Sequence, residues 1–121
     1  HPVIIPGSMG ASSYVLAGAG SEAALCSACH GAGRALSRGD SRRYDEERAS
    51  QALGKLRVVT PVDPRAAEVR LRRDVMAEYE GRLKEEAPYA YKDITPVIDT
   101  VEAAGVASRV ARLWPLLTIK G

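Results

Sequence analysis

One stretch decides the fold and function of this chain: Cys26-Ser27-Ala28-Cys29-His30-Gly31-Ala32-Gly33-Arg34. It contains both cysteines and one of the two histidines of the 121-residue chain. Its first residues form C-x-x-C-H, the pattern of covalent haem attachment. Its last residues instead place a histidine on a glycine-rich turn, where backbone N–H groups can approach a phosphate. The first interpretation makes His30 a haem ligand and the second makes it a nucleophile, so the surrounding sequence has to decide.

Composition and charge are those of an ordinary globular domain. Hydrophobic residues make up 45% of the chain and charged residues 26%, as in typical soluble domains. No apolar run approaches the roughly 20 residues of a membrane span, and no signal-peptide pattern occurs. We therefore expect a cytoplasmic protein without a membrane partner. The net charge of +2 is too small to predict nucleic-acid binding by itself. However, four arginines cluster after His30 and can either neutralise RNA phosphates or form a solvated helix end: Arg34, Arg38, Arg42 and Arg43.

The motifs on both sides of this stretch resemble consecutive motifs of the RtcB family. In order, they are HPVIIPGSMG at 1–10, SSYVL at 12–16, CHGAGRALSR at 29–38, EEAP at 85–88, YK at 91–92 and the terminal KG at 120–121. The resemblance covers nearly the whole chain but departs at 39–84, which we interpret as a variable charged insert. Proteins of this family are several times longer. The resemblance thus implies that residues 1–121 are the C-terminal part of an RtcB-like ligase catalytic domain, with the remainder of the polypeptide as a partner.

The resemblance also implies an activity. RtcB-like proteins are RNA ligases that join a 3′-phosphate or 2′,3′-cyclic phosphate end to a 5′-hydroxyl end, using GTP and manganese. It implies that His30 is the catalytic residue that becomes bonded to GMP, with RNA ends such as tRNA halves as substrates. An unprotonated histidine nitrogen can attack the α-phosphate of GTP, which is nucleophilic catalysis. Because the family's manganese ligands lie upstream of this segment, no metal ligand is predicted within it.

The nucleotide-binding residues follow from the same resemblance. Those predicted to contact guanine, ribose or phosphate are Pro6, Gly7, Ser8, Met9, Ser13, Gly31, Ala32, Gly33, Tyr91 and Lys120. Glycines permit close backbone approach to a ligand, and a serine hydroxyl both donates and accepts hydrogen bonds. Arg34 is left with two interpretations, a bidentate phosphate contact or an ion pair that supports the fold.

Other function classes are less well supported. A c-type haem site would need thioether bonds from Cys26 and Cys29 and a distant axial ligand, and the other motifs would have no part in it. A dithiol redox site lacks the βαβ context of thioredoxin-like proteins. A zinc site at Cys26, Cys29 and His30 lacks a fourth ligand other than His1. The main competing class is a non-catalytic interaction or assembly module built from this segment.

Local patterns predict the secondary structure. Strands are expected over 3–5, 14–17, 57–59 and 110–119, the last interrupted by Pro115. Helices are expected over 30–38, over 45–56, from Asp63-Pro64 to near Pro88, and from Thr95-Pro96 to Gly105. The long third helix is expected to bury one apolar stripe: Leu71, Val75, Tyr79 and Leu83. Since strands and helices mix without a βαβ period, the predicted class is α+β, with a mixed or antiparallel sheet and packed helices.

Overall fold

The computed structural model describes residues 1–54 and 56–120 and has the predicted α+β class. Three strands form an antiparallel sheet in the order β1-β2-β4: β1 (Pro2–Ile5), β2 (Ser13–Gly18) and β4 (Ala107–Leu113). Two short strands, β3 (Arg57–Val59) and β5 (Leu117–Ile119), pair in parallel as a second sheet. Antiparallel and parallel pairing therefore coexist, which confirms the mixed architecture.

The core lies between the three-stranded sheet and helix α5 (Thr95–Ala103). Strand alternation turns Ile5, Tyr14 and Leu16 toward Ile98, and all four side chains are buried. Pro96 lies in the first turn of α5, where the missing N–H costs nothing. This core fixes the ends of β1 and β2, and with them the turn that joins the two strands.

Four further helices carry the charged middle of the chain. They are α1 (Arg38–Arg42), α2 (Glu46–Leu53), α3 (Ala67–Arg70) and α4 (Arg73–Glu86). Ser37 caps α1 by accepting from the Asp40 N–H, and Asp45 caps α2 by accepting from the Arg48 N–H. Such caps stabilise a helix by about 1 kcal/mol each.

The single long helix predicted from Asp63 to near Pro88 is wrong in its first half. Asp63 accepts a hydrogen bond from the Arg65 N–H in a turn, and α3 and α4 are separated by Leu71 and Arg72. Arg72 has extended backbone angles, and the Leu71 side chain is 84% exposed. Leu71 is therefore not part of the predicted apolar stripe. The other three members, Val75, Tyr79 and Leu83, are partly buried.

The helix predicted over 30–38 is also wrong, since α1 begins only at Arg38. Gly33 has φ +75°, outside helical geometry, and Arg34 instead forms an antiparallel bridge with Tyr91. The N–H of Ala35 donates to the Ala90 carbonyl at 2.9 Å. Backbone hydrogen bonds to the 90–92 segment thus replace those of a helix, and the local preference for helix is overridden by tertiary pairing.

The strand predicted over 110–119 is two strands. β4 ends at Leu113 and β5 begins at Leu117, and they belong to different sheets. Pro115, which cannot donate to a strand ladder, lies in the connection. The chain therefore turns from the large sheet to the small one at this proline.

Helix α1 packs against α4 through one arginine. Arg42 pairs with Glu78 at 2.8 Å and with Glu85, and its guanidinium covers Gly81, where a Cβ would meet it at 3.3 Å. Within the described residues, no helix combines the length and apolar character needed to cross a bilayer.

Candidate functional site

A single cavity collects the residues predicted from the sequence. It measures about 950 Å³ and lies among the turn after β1, the loop at His30, the segment after α4 and the residues of β5. Every predicted catalytic and nucleotide-binding residue lines it: Pro6, Gly7, Ser8, Met9, Ser13, His30, Gly31, Ala32, Gly33, Tyr91 and Lys120. Its volume lies within the roughly 300–1,000 Å³ typical of small-molecule sites.

The first wall of the cavity is the turn between β1 and β2. The Gly7 N–H donates to the Ser13 hydroxyl oxygen at 3.0 Å, which closes the turn. A Cβ at Gly7 would lie 2.2 Å from the Ser12 carbonyl oxygen, so no other residue fits there without a shift of the backbone. Gly10 has φ +91°, a conformation that favours glycine. The sequence thus builds a rigid turn whose backbone faces the cavity.

The second wall is the His30 loop. His30 is exposed, while Gly31 and Ala32 are half-buried. The Lys92 N–H donates to the Gly33 carbonyl at 3.0 Å, which ties the end of the loop to the next wall. Because no helix begins here, the expected helix N-terminus is absent as an anion site, and only the individual N–H groups of the loop remain as candidate phosphate donors.

Arg34 holds this loop in place through four hydrogen bonds. Its guanidinium donates to the carbonyls of Leu36 (3.0 Å) and Glu85 (2.8 Å) and to the hydroxyls of Ser41 (3.1 Å) and Tyr91 (3.2 Å). It also lies 4.9 Å from the centre of the Tyr91 ring, a cation–π distance. Of the two interpretations of Arg34, the structure favours fold support, achieved by hydrogen bonds to neutral groups.

The third wall joins Tyr91, Glu86 and Lys120. The Tyr91 hydroxyl donates to Glu86 Oε2 at 2.5 Å, and Lys120 Nζ lies 3.6 Å from Glu86 Oε1. Burial raises the pKa of Glu86, but the Tyr91 hydrogen bond and the Lys120 charge outweigh it, so this pKa lies below its usual value. Burial, followed by the hydrogen bond to Glu86, raises the pKa of Tyr91. At neutral pH the wall therefore carries an ionised carboxylate and a neutral phenol.

Sequence reasoning missed Glu86 as a site residue. The sequence feature that could have indicated it is the motif Glu85-Glu86-Ala87-Pro88, in which Glu86 lies five residues before Tyr91. The contact with Lys120 spans 34 positions of sequence, and no local pattern predicts it.

Lys120 reaches this wall because β5 pairs with β3. Val58 lies opposite Thr118, and the Lys120 N–H donates to the Val59 carbonyl at 2.9 Å. The backbone of Lys120 is therefore fixed by a strand from the charged middle of the chain.

Comparison with known proteins identifies the family of this fold and site. The family model described as "tRNA-splicing ligase RtcB" matches residues 1–121. The chain belongs to the RtcB family. It is 40% identical over 122 residues to the RNA-splicing ligase RtcB of Mycobacterium tuberculosis and 43% identical over 124 residues to the tRNA-splicing ligase RtcB of Thermococcus kodakarensis. It is also 40% identical over 123 residues to the RNA-splicing ligase RtcB homolog 1 of Entamoeba dispar.

Each of these matches covers 100% of this chain but only 25%, 23% and 20% of the respective relative. The chain thus spans about a quarter or less of the length of the RtcB proteins it matches. The family match includes the charged segment 39–84, whose interpretation as an insert stays a prediction.

Three of the four arginines that follow the RtcB histidine motif form ion pairs with carboxylates or hydrogen bonds with neighbouring residues. Arg43 pairs with Asp40 at 2.7 Å, Arg42 pairs with Glu78 and Glu85, and Arg34 is held as described above. This favours a structural role for the cluster over a free surface for RNA phosphates.

A tyrosine pair links the charged segment to the cavity. Tyr89, which lines the cavity, stacks on Tyr44 with ring centres 4.0 Å apart. The Tyr89 hydroxyl is buried and finds no hydrogen-bond partner among the described residues. Burial raises the pKa of Tyr89, so this hydroxyl is neutral at physiological pH.

The described residues do not provide a metal site. Residues 1–54 and 56–120 contain no group of three or more His, Cys, Asp or Glu side chains placed to hold a metal ion. Cys26 and Cys29 are free thiols. The donors present in the described residues do not fit manganese.

Proposed function

We propose that this chain supplies the histidine nucleophile and part of the GTP pocket of an RNA ligase. The ligase joins RNA 3′-phosphate or 2′,3′-cyclic phosphate ends to 5′-hydroxyl ends, and tRNA halves are one such pair of ends. The observation that carries the proposal is the convergence of every predicted site residue on one cavity. Residues up to 90 positions from His30 in the sequence line that cavity together with it. Manganese, in this proposal, is held by residues of a longer polypeptide outside this chain.

The first step is guanylylation of His30. An imidazole nitrogen forms a bond to the α-phosphorus of GTP while the bond from that phosphorus to the bridging oxygen breaks, and pyrophosphate leaves. His30 has to be neutral to attack, and its exposed position gives it access to a bound nucleotide. In this proposal the N–H groups of Gly31, Ala32 and Gly33, which line the cavity, donate to the α-phosphate oxygens.

The remaining steps pass GMP onward. A 2′,3′-cyclic phosphate end is first opened by water, which breaks the bond to the 2′-oxygen and leaves a 3′-phosphate. An oxygen of the RNA 3′-phosphate attacks the same phosphorus, and the phosphorus–nitrogen bond breaks, which regenerates His30. The 5′-hydroxyl oxygen of the second RNA end then attacks the activated 3′-phosphate, its proton passes to solvent, and GMP leaves. In each step charge is redistributed over the oxygens of the transferred phosphorus group, so donors positioned for the transition state stabilise it more than they stabilise the free nucleotide.

The guanine pocket, in this proposal, is the wall that contains Tyr91 and Lys120. A lysine ammonium donates to the guanine O6 but meets the amino group of adenine unfavourably, which gives selectivity for GTP. The Tyr91 ring offers a face for stacking. The turn 6–9 and Ser13 form the neighbouring surface for base and ribose.

The competing class, an interaction or assembly module, is supported by an exposed apolar sheet face. On the side of the sheet opposite the core, Ile4 is 66% exposed and Leu113 is 48% exposed. Val110, at the bulge of β4, is 65% exposed. Exposed apolar residues on one sheet face are a feature of protein interfaces. Because RtcB relatives are about four times longer or more, we infer that this face packs against the rest of such a polypeptide, which is compatible with catalysis.

Intact-mass measurement of the full-length protein with GTP and manganese tests the function. We expect a mass increase of one GMP in the wild type and none in His30→Ala. His1→Ala is the matched control, because His1 is the other histidine of this chain and lies outside the cavity lining. A GMP adduct of normal yield on His30→Ala would exclude His30 as the nucleophile. RNA joining with a labelled 3′-phosphate end and a 5′-hydroxyl end then separates the ligase from an assembly module.

A further inference from the structure

Glu86 connects the two residues proposed to meet guanine. Its Oε2 accepts from the Tyr91 hydroxyl at 2.5 Å, and its Oε1 lies 3.6 Å from Lys120 Nζ. The two carboxylate oxygens are thus divided between two partners that come from different parts of the chain. Glu86 belongs to the last turn of α4, so its backbone is fixed by a 14-residue helix.

Lys120 is the residue that most needs such a partner. A lysine side chain has four rotatable bonds, and its ammonium is a compact, strongly hydrated charge. Here that side chain is only 23% exposed, and the Glu86 side chain only 26%. Partly removed from water, an unpaired ammonium would turn toward solvent, whereas the carboxylate holds it at the cavity wall. An ammonium has three N–H donors, so pairing with one carboxylate leaves donors available to a ligand.

Tyr91 is fixed by the same carboxylate. Its hydroxyl donates to Glu86 and accepts from Arg34 Nη1 at 3.2 Å, and the Arg34 guanidinium lies against its ring. The phenol oxygen is thereby held from both sides, and the Tyr91 side chain cannot swing to another χ1 rotamer without breaking a charge-assisted hydrogen bond.

We propose that Glu86 is a positioning residue for guanine recognition: it holds Lys120 and Tyr91 in the geometry that the base requires, without being a catalytic residue itself. This inference rests on the proposed function, because it assumes that GTP occupies the cavity. It extends that function to a residue that acts through Lys120 and Tyr91.

A double-mutant cycle on the full-length protein tests the inference. Glu86→Gln removes the charge but keeps an amide oxygen for the Tyr91 hydroxyl. We expect it to weaken GTP binding about fivefold, the effect of one partly exposed ion pair. In a Lys120→Ala background the same change should have almost no effect, because its target is gone. Glu86→Asp keeps the charge one methylene further back and should recover part of the affinity.

A chemical measurement tests the ion pair independently of nucleotide. An amine-reactive acetylating reagent should modify Lys120 at least about threefold faster in Glu86→Gln than in the wild type, since the ammonium freed from its ion pair is more accessible to the reagent. Lys92, an exposed lysine on the same cavity, is the internal control and should react equally in both proteins. Peptide mass spectrometry gives both rates from one sample.

Glu85→Gln is the matched control for a purely structural effect. Glu85 is the adjacent carboxylate, but it pairs with Arg42 and does not line the cavity. We expect a lower melting temperature for this variant and no coupling to Lys120 in GTP binding. Equal losses of affinity from Glu86→Gln in both Lys120 backgrounds, or tighter binding, would overturn the inference while leaving the proposed function intact. A wild-type protein that binds no GTP would instead overturn the proposed function, and this inference with it.

Discussion

Replacement of Arg34 by alanine should destabilise the fold strongly, because this guanidinium is the main support of the His30 loop. It donates to the backbone carbonyls of Leu36 and Glu85 and to the hydroxyls of Ser41 and Tyr91. Truncation leaves the two carbonyls without their donor, at roughly 1 kcal/mol each, and removes two hydroxyl contacts at roughly 0.5 kcal/mol each. The expected loss in free energy of unfolding is therefore about 3 kcal/mol, or a melting temperature lower by about 10 °C for a domain of this size.

Urea unfolding followed by far-UV circular dichroism measures this loss. Arg34→Lys keeps the charge but not the planar fork, so we expect it to recover less than half of the difference. Arg43→Ala is the control, because the ion pair of Arg43 with Asp40 is exposed and contributes little. A loss below about 1 kcal/mol for Arg34→Ala, accompanied by tenfold weaker GTP binding, would refute the structural role and favour a phosphate contact.

Three further changes test separate features. Gly7→Ala places a Cβ 2.2 Å from the Ser12 carbonyl oxygen and should lower both the melting temperature and the affinity for GTP. Gly39→Ala is the control, because its Cβ would have its nearest atoms at 3.9 Å, and it should lower neither quantity. Comparable melting temperatures for the two variants would contradict the close approach at Gly7. Hydrogen bonds from arginines, Arg42 first, lower the pKa of Glu78 from 4.5 to about 2. The stabilising effect of Glu78 should be complete above pH 4.5 and disappear as the pH falls toward 2, so thermal melts of wild type and Glu78→Gln should converge there. Lys120→Ala should weaken GTP binding at least about tenfold and reduce discrimination against ATP, with a nearly unchanged melting temperature; unaltered affinity would mean that Lys120 is an ordinary chain end.

The parts of the fold that the sequence predicts well are set by local chemistry. The strands near Ile5 and Tyr14 follow from alternating burial, and α5 follows from Pro96 at its start. The family motifs indicate residues that share one cavity, although their individual roles stay predictions. The errors arise where distant contacts decide: the 30–38 segment contains helix-favouring residues, but its N–H groups bond to the chain near Tyr91.

The same limit explains why Glu86 was not predicted as a site residue. The contact of Glu86 with Lys120 depends on where α4 ends and on which strand β5 pairs with. Neither can be derived from the residues next to Glu86 in the sequence. Leu71 illustrates the converse case: its spacing fits an apolar stripe, but α3 and α4 separate there and leave it 84% exposed.

The parallel pairing of β3 with β5 has a consequence for how such sequences can diverge. The segment 39–84 contains β3, and β3 holds the strand that presents Lys120. We therefore expect substitutions in this segment to be restricted at Arg57–Val59, because a change of register there would move Lys120 by a residue and turn its side chain to the opposite face. Substitutions at 57–59 should be accompanied by compensating ones at 117–119 in related chains. Residues 57–59, which are distant from His30 in the sequence, would then co-vary with the strand that positions Lys120 for its proposed contact with guanine.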